Sequence, residues 1–260
     1  MMPVKSTQQI ALKTEIVSVS RLALEDKARM LWLMQAYYDS VTERQFLEDL
    51  SKKDAVILLK DQCREIQGFS TLATVRVKLD GKSLRAIFSG DTVIDKQYWG
   101  QRALGKAFLR YLFIEKLKSP FEPLYWLLIS KGYKTYLMMA NNFSEHYPRF
   151  ERPTPARARR MLDAFYSTLY PEHYDSKTGL IESQIDACRL KPGVAEIPTA
   201  LLKSNPKVAF FEQRNPRWSQ GAELACIARM TLRMPFQYVL KVLMKDRVMK
   251  GSAAAVREGY

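Results

Sequence analysis

A short glycine-containing segment offers the clearest chemistry in this sequence, which is the binding of an anion. The segment reads Arg102, Ala103, Leu104, Gly105, Lys106 and Ala107, and it lies where the residue pattern changes from strand-like to helical. The first turn of a helix presents backbone N–H groups without intrahelical partners, beside the positive end of the helix dipole. Gly105 would let a phosphate group approach this backbone closely, and Arg102 would add a positive charge. In the alternative interpretation, Gly105 only occupies an ordinary amphipathic helix, where glycine costs about 1 kcal/mol relative to alanine.

Groups suited to acid–base or metal chemistry are few. The chain has two histidines, His146 and His173, so a three-histidine metal site is excluded. Its three cysteines, Cys63, Cys188 and Cys226, lie far apart and include no C-x-x-C pair. Their odd number and their spacing indicate neither a disulfide framework nor a thiolate zinc site. We therefore predict reduced thiols and no bound metal.

The elements before the segment must present it at the end of a strand. The pattern predicts a strand over residues 10–19, two helices, and strands over residues 55–59, 66–77 and 84–94. The second helix begins at Thr42, because the residues from Thr42 to Gln45 have the form of a capping box. Asp80 and Gly81 supply turn chemistry between the last two strands, so this pair predicts a hairpin.

The elements after the segment are a helix and a buried strand. One helical face carries Leu104, Ala107, Phe108, Tyr111 and Leu112. Ser119 and Pro120 end this helix. Residues 124–129 are almost wholly apolar, as expected of a central strand covered on both faces, and residues 133–143 favour a further helix.

The last hundred residues differ in character from the first part of the chain. Residues 153–207 are rich in proline and contain a basic helix over residues 156–169, so we interpret them as an insertion. Residues 208–211 and 223–230 favour two final strands. Residues 236–260 form a basic amphipathic helix and a tail. That helix either packs against the sheet or contacts an anionic membrane or an acidic protein.

The order of these elements, together with the glycine-containing segment, resembles the GNAT superfamily of acyl-CoA-dependent N-acyltransferases. Residues 102–107 are similar to the superfamily motif Q/R-x-x-G-x-G/A, and they lie between a fourth strand and the following helix, as that motif does. The resemblance implies an α/β (α+β) fold, with a mixed and mostly antiparallel sheet and helices on both faces. It also implies a single domain over residues 1–235, with the helical insertion placed before the last two strands.

The resemblance also implies where acetyl-CoA or a longer acyl-CoA binds as co-substrate. The pyrophosphate would lie on the segment, and the pantetheine arm would add to the fourth strand by main-chain hydrogen bonds. The implied contacts are Thr92, Val93, Ile94, Gly100, Gln101, Arg102, Ala103, Leu104, Gly105, Lys106 and Ala107. Two registers stay open, residues 99–104 and 102–107, because the second glycine of the motif is Ala107 here.

Amide formation needs a base for the amine proton and a donor for the departing thiolate. By the resemblance, Asp91 on the fourth strand is the base and Tyr147 is the acid. Each has a structural alternative, because Asp91 is also typical of a turn or bulge and Tyr147 is one of 13 tyrosines. His146, next to Tyr147, is a weaker catalytic candidate, since neighbours in sequence usually point in different directions.

Composition restricts the classes of partner. The formal net charge of +14 favours acidic partners such as the phosphates of coenzyme A, an acidic acyl carrier protein or an anionic lipid. Nucleic acid is disfavoured, because the basic residues are scattered and form no known binding motif. Without an apolar run of roughly 20 residues, we expect a cytoplasmic protein. The function implied is acyl transfer to a small-molecule or peptide amine. The alternatives are a carrier-protein donor and a GNAT-like binding module without chemistry, and the oligomeric state stays open.

Overall fold

In the part of the chain that the structure describes, a nine-stranded sheet has helices against both faces. The computed structural model describes residues 11–182 and 189–232. The strands are β1 (Lys13–Ser18), β2 (Ala55–Lys60), β3 (Ile66–Leu79), β4 (Lys82–Ile94), β5 (Leu124–Ser130), β6 (His146–Tyr147), β7 (Tyr174–Asp175), β8 (Leu180–Ile181) and β9 (Glu223–Met230). The helices are α1 (Leu24–Tyr37), α2 (Glu43–Ser51), α3 (Ala103–Lys118), α4 (Tyr133–Asn142), α5 (Ala156–Leu169), α6 (Thr199–Ser204) and α7 (Pro206–Arg214).

The strand order is β1-β2-β3-β4-β5-β9-β8-β7, and β6 also pairs with β9. Among the strand pairs of the described residues, β4 and β5 run parallel and the others run antiparallel. The predicted mixed and mostly antiparallel sheet is therefore confirmed. Helix α3 connects β4 to β5, as a parallel pair requires a crossover.

Local signals explain several of these boundaries. Asp80 and Gly81 both have positive φ, 50° and 72°, which suits the tight turn between β3 and β4. The side chain of Thr42 accepts a hydrogen bond from the backbone N–H of Gln45 at 3.3 Å and caps α2. The predicted hairpin and the predicted start of α2 are both confirmed.

The alternation of side chains along β5 explains its apolar run. Leu124, Trp126 and Leu128 face the hydrophobic cluster under α3 and α4, whereas Tyr125 and Leu127 face the cluster under α5. All five are buried. A strand covered on both faces has no polar side, so its sequence carries no two-residue alternation of polarity.

The sheet opens at the end of β4. Strand β4 pairs with β5 as far as Ser89 and Leu128, and then β4 continues to Ile94 beside β3 alone. A register shift between Ser70 and Leu72 marks a bulge in the β3–β4 pairing at the same level. Bulges bend a strand and re-aim its side chains. The fourth and fifth strands therefore separate beyond Ser89 and Leu128.

The strand predicted over residues 208–211 is wrong, because these residues lie in α7. The side chain of Asn205 accepts a hydrogen bond from the backbone N–H of Lys207 at 3.1 Å, and Pro206 occupies the first turn. Both features start helices. Val208 and Phe211, three positions apart, are the buried residues of α7. Strand β9 instead pairs with β5, β6 and β8.

Residues 153–207 contribute to both the helical layer and the sheet. Helix α5 packs on the cluster that includes β5 and β9, and β8 extends the sheet beyond β9. The amphipathic helix expected within residues 236–260 lies outside the described residues. Within residues 11–182 and 189–232, no helix combines the length and the apolar character needed to cross a membrane.

Candidate functional site

A cleft of about 710 Å³ lies where β4 and β5 separate. Its walls come from α1, α2, the second half of β4 and the loop after it, the β5–α4 connection, the end of α5, β8 and the start of β9. Sites of this kind, in which a few polar groups converge on a partly apolar cavity, are the ordinary setting of ligand binding. The cleft therefore extends from Gly100 and Leu104 to the gap in the sheet.

The amino terminus of α3 lies at one end of this cleft. The first helical hydrogen bond runs from the N–H of Lys106 to the carbonyl oxygen of Arg102 at 3.0 Å, so the amides of residues 103–105 precede it. Arg102 is the N-cap and makes no side-chain cap bond. A Cβ atom added at Gly105 would meet no atom within 4 Å, so this first turn is open above its backbone.

The loop before α3 lines the same end of the cleft. Gly100 has a φ of 86°, which side chains rarely tolerate, and it lines the cleft together with Leu104. The Oε1 atom of Gln101 accepts a hydrogen bond from the N–H of Leu12 at 3.2 Å, so this side chain ties the loop to the residue before β1. Lys106 is exposed, whereas Ala107 is buried in the core under α3.

The three residues expected along the pantetheine arm all line the cleft. Thr92 and Ser70 share a hydrogen bond between their hydroxyl groups at 2.8 Å. Val93 is buried against the cluster under α1. The carbonyl oxygen of Ile94 accepts a hydrogen bond from the indole Nε1–H of Trp99 at 2.7 Å. These contacts hold the end of β4 in place while the edge that faces β5 stays open.

Sequence reasoning missed Lys134, a cation at the same end of the cleft. Its Nζ atom lies 3.6 Å from the centre of the Trp99 ring and donates a hydrogen bond to the carbonyl oxygen of Val194 at 2.9 Å. Burial lowers the pKa of this amine. Lys134 lies in the first turn of α4, so the amino termini of α3 and α4 both border the cleft.

Asp91 lies at the bulge of β4, the position that its structural alternative predicted. A Cβ atom at the preceding Gly90 would lie 2.7 Å from the Oγ1 atom of Thr71 and 3.0 Å from the Cε atom of Lys53. Only glycine fits this close approach without a shift. The bulge carries Asp91 to the wall of the cleft, where burial raises the pKa of its carboxyl, opposed by the charges of Lys53 and Lys131.

Glu223, at the start of β9, brings a second carboxyl to the cleft. Its Oε1 atom lies 3.5 Å from the Nζ atom of Lys131, and their side chains are 19% and 14% exposed. Burial raises the pKa of Glu223, the charge of Lys131 opposes the shift, and the negative charge of Asp91 adds to it. Asp91, Glu223 and Lys131 therefore form one electrostatically coupled group on the cleft wall, here called the charged centre.

Tyr170, just after α5, lines the cleft and is coupled electrostatically to both carboxyls. Burial raises the pKa of its phenol, and the charges of Glu223 and Asp91 raise it further, so it stays protonated at neutral pH. Its ring meets the Phe88 ring at 6.2 Å, edge to face. Tyr170 therefore offers a hydroxyl donor on the cleft wall.

Tyr147, the acid that the resemblance implied, and His146, the weaker candidate, lie elsewhere in the fold. The hydroxyl oxygen of Tyr147 accepts a hydrogen bond from Arg152 at 2.8 Å, and its ring packs against the cluster under α5. His146 is 2% exposed, and its Nδ1 atom bonds the carbonyl oxygen of Phe143 at 2.7 Å. Neither lines the cleft described above. Short pairing of β6 with β9 accounts for both positions.

Comparison with known proteins identifies neither a matching family model nor a matching curated protein. Solved structures that are similar to this chain include GNAT N-acetyltransferases. One is YhbS from Escherichia coli in complex with CoA, at 12% identity and a TM-score of 0.35, covering 50% of this chain and 66% of that one. Another is glucosamine-6-phosphate N-acetyltransferase from Arabidopsis thaliana, at 14% identity and a TM-score of 0.38, covering 55% and 99%.

A third is the ribosomal-protein-S18-alanine N-acetyltransferase from Escherichia coli, at 17% identity and a TM-score of 0.35, covering 54% of this chain and 88% of that one. This chain thus spans just under two thirds of the YhbS chain. Likenesses this distant say nothing about activity or acceptor. The geometry of the cleft itself therefore provides the observations that bear on function.

Proposed function

We propose that this protein transfers an acyl group directly from acyl-CoA to an amine. One observation carries the proposal: a single cleft extends from Gly100 and Leu104, beside the amino terminus of α3, to Asp91 and Glu223 at the gap between β4 and β5. An anion-binding end and a proton-accepting end are the two parts that this reaction needs. The acceptor is a small-molecule or peptide amine.

The residues at the α3 end fit coenzyme A. The amides of residues 103–105 and the exposed Arg102 would bind the pyrophosphate, with backbone groups providing most of the contacts. The edge of β4 beyond Ser89 no longer pairs with β5, so the backbone of residues 92–94 is available to the pantetheine arm. This is the addition of a strand-like ligand to an open sheet edge.

The proton-accepting end supports direct transfer. The neutral amine attacks the thioester carbonyl carbon, its proton passes to Asp91 directly or through water, and the C–S bond breaks. Tyr170 donates a hydrogen bond and then a proton to the departing thiolate, and the proton held by Asp91 restores the phenol through solvent. A raised carboxyl pKa brings the base nearer to neutral pH, where general-base catalysis is most effective. Lys131 and Glu223 form an ion pair beside this carboxyl.

The direct test is the release of thiol from acetyl-CoA and longer acyl-CoA in the presence of a panel of amines. We expect amine-dependent release, and we expect Asp91→Asn to reduce it by roughly 10²–10⁴-fold, the usual contribution of a general base. Asp26→Asn, which lies in α1 outside the cleft, is the matched control. Binding of coenzyme A without release under any amine would favour a binding module instead.

A carrier-protein donor is the second arm of this test. The net charge of +14 would steer an acidic carrier domain toward the protein. Acyl-carrier protein is therefore supplied in place of acyl-CoA in a parallel assay. Release from the carrier alone, with no measurable affinity for coenzyme A, would replace the donor while keeping the reaction.

A further inference from the structure

The cleft does not end where β4 and β5 join. Beyond Asp91, toward the start of β4, it continues along the face of the sheet that α5 covers, as far as Phe88 and the neighbouring Ala73. A two-carbon acyl group held at the bulge would not need this space. The occupant of the extension is therefore a question separate from the site of bond formation.

The opposite face of the sheet is closed at the same level. The indole Nε1–H of Trp126 donates a hydrogen bond to the Oγ atom of Ser89 at 2.9 Å, and each residue is 1% exposed. Phe108 and Phe143 pack on the Trp126 ring with centroids at 4.5 and 4.8 Å. A chain that passes the gap from the α3 end can thus continue only on the α5 face.

The extension on the α5 face has an apolar wall, here called the apolar chamber. It is lined by Ala73, Phe88, Ile129, Leu169, Tyr170 and Ile181. All six belong to, or pack against, the hydrophobic cluster that α5 covers. Glu223 pairs with Ile181 of this wall, and Asp91 follows Gly90 at the bulge, so the two carboxyls border the chamber, with Lys131 beside Glu223. The chamber and the charged centre therefore suit two different parts of a substrate pair.

We propose that the apolar chamber binds the hydrocarbon chain of the donor, so that the protein uses acyl groups longer than acetyl. The inference depends on the proposed function, because anchoring the pyrophosphate at α3 sets the direction of the donor. The arm then runs from Ile94 toward Asp91, and the acyl chain continues in the same direction, over Phe88. The amine belongs beside the carboxyls, where its proton must go, so the chamber is left for the acyl chain.

Affinity and turnover are measured separately across acetyl-, butanoyl-, hexanoyl- and octanoyl-CoA. Calorimetric titration gives the dissociation constant of each without an acceptor, and thiol release with a fixed amine gives kcat/KM. We expect affinity to rise with chain length by up to about fourfold for each methylene that the chamber buries, the equivalent of roughly 0.8 kcal/mol per CH₂. The rise should stop when the chamber is full.

Two substitutions change the size of the chamber in opposite directions. Ala73→Leu fills it and should lower the ratio of hexanoyl to acetyl kcat/KM by tenfold or more. Leu169→Ala enlarges it and should shift the preferred acyl group to a longer chain. Val77→Leu is the matched control, because Val77 packs against the same cluster on the same strand but does not line the cleft. Its ratio should equal that of the unchanged protein, and thermal melts establish that each variant is folded.

The outcomes separate this inference from the proposed function. Thiol release with an acyl-CoA affinity independent of chain length overturns the inference but leaves the proposed acyltransferase activity standing. An Ala73→Leu variant whose only change is a higher KM for the amine has the same consequence. Chain-length-dependent affinity without thiol release supports the chamber and overturns the enzyme. Absence of binding for every acyl-CoA, together with no release from acyl-carrier protein, overturns both.

Discussion

Replacing Gly105 with valine should separate the binding of coenzyme A from the stability of the fold. Gly105 lies in the first turn of α3, and a Cβ atom there meets no atom within 4 Å, so a side chain fits the free protein. Glycine is the weaker helix former, by up to about 1 kcal/mol relative to alanine, so the melting temperature should stay level or rise slightly. The branched side chain would instead occupy the space that a pyrophosphate needs above the amides.

The expected loss of affinity follows from the hydrogen bonds that the side chain blocks. A hydrogen bond to a charged group contributes roughly 1.5–3 kcal/mol, so losing one amide contact weakens binding by roughly 10- to 150-fold. Calorimetric titration with coenzyme A measures this change, and thermal melts measure stability. Leu117→Val, exposed near the other end of α3, controls for helix propensity. Unchanged affinity in a folded Gly105→Val protein would refute anion binding at α3 and leave the acyltransferase without its main support.

Three further predictions concern the charged centre and the core. Burial raises the pKa of Asp91, so folding favours the protonated carboxyl. The stability that this carboxyl contributes is fully present at low pH and is lost as pH rises through its pKa in the folded protein. The melting temperature of Asp91→Asn, relative to that of the unchanged protein, should therefore increase as pH rises. Scanning fluorimetry that shows the opposite trend would contradict the burial of the Asp91 carboxyl. Tyr170→Phe should reduce thiol release by roughly 10²-fold, whereas Tyr147→Phe should not; equal losses would remove Tyr170 as the donor. Arg85, 5% exposed and 3.2 Å from Glu115, forms a buried ion pair, so Arg85→Met should cost roughly 3 kcal/mol in urea unfolding with no loss of coenzyme A affinity.

Local sequence patterns predicted the elements that border the cleft. Three local features depend on residues within one turn of chain, so neighbouring residues reveal them. They are the helix start at residues 102–107, the hairpin turn at Asp80 and Gly81, and the cap at Thr42. The short apolar run at residues 208–211 predicted a strand although these residues are helical, because four apolar residues suit either a buried strand or a helix. The cap at Asn205 and the following proline were the signal that identifies α7.

The sequence by itself determined the chain order of β4, α3 and β5, with the start of α3 at residues 102–107. Tertiary structure alone decided which side chains meet across the gap. Four residues from distant parts of the chain line the cleft together: Asp91 from β4, Lys131 from the β5–α4 connection, Tyr170 from just after α5 and Glu223 from β9. They converge because β9 pairs with β5 and α5 covers one face of this pair. Such contacts between distant parts of the chain leave no periodic or neighbouring signal in a single sequence. The physical reason is that burial and charge, which raise the pKa values of both carboxyls, exist only once the strands have assembled.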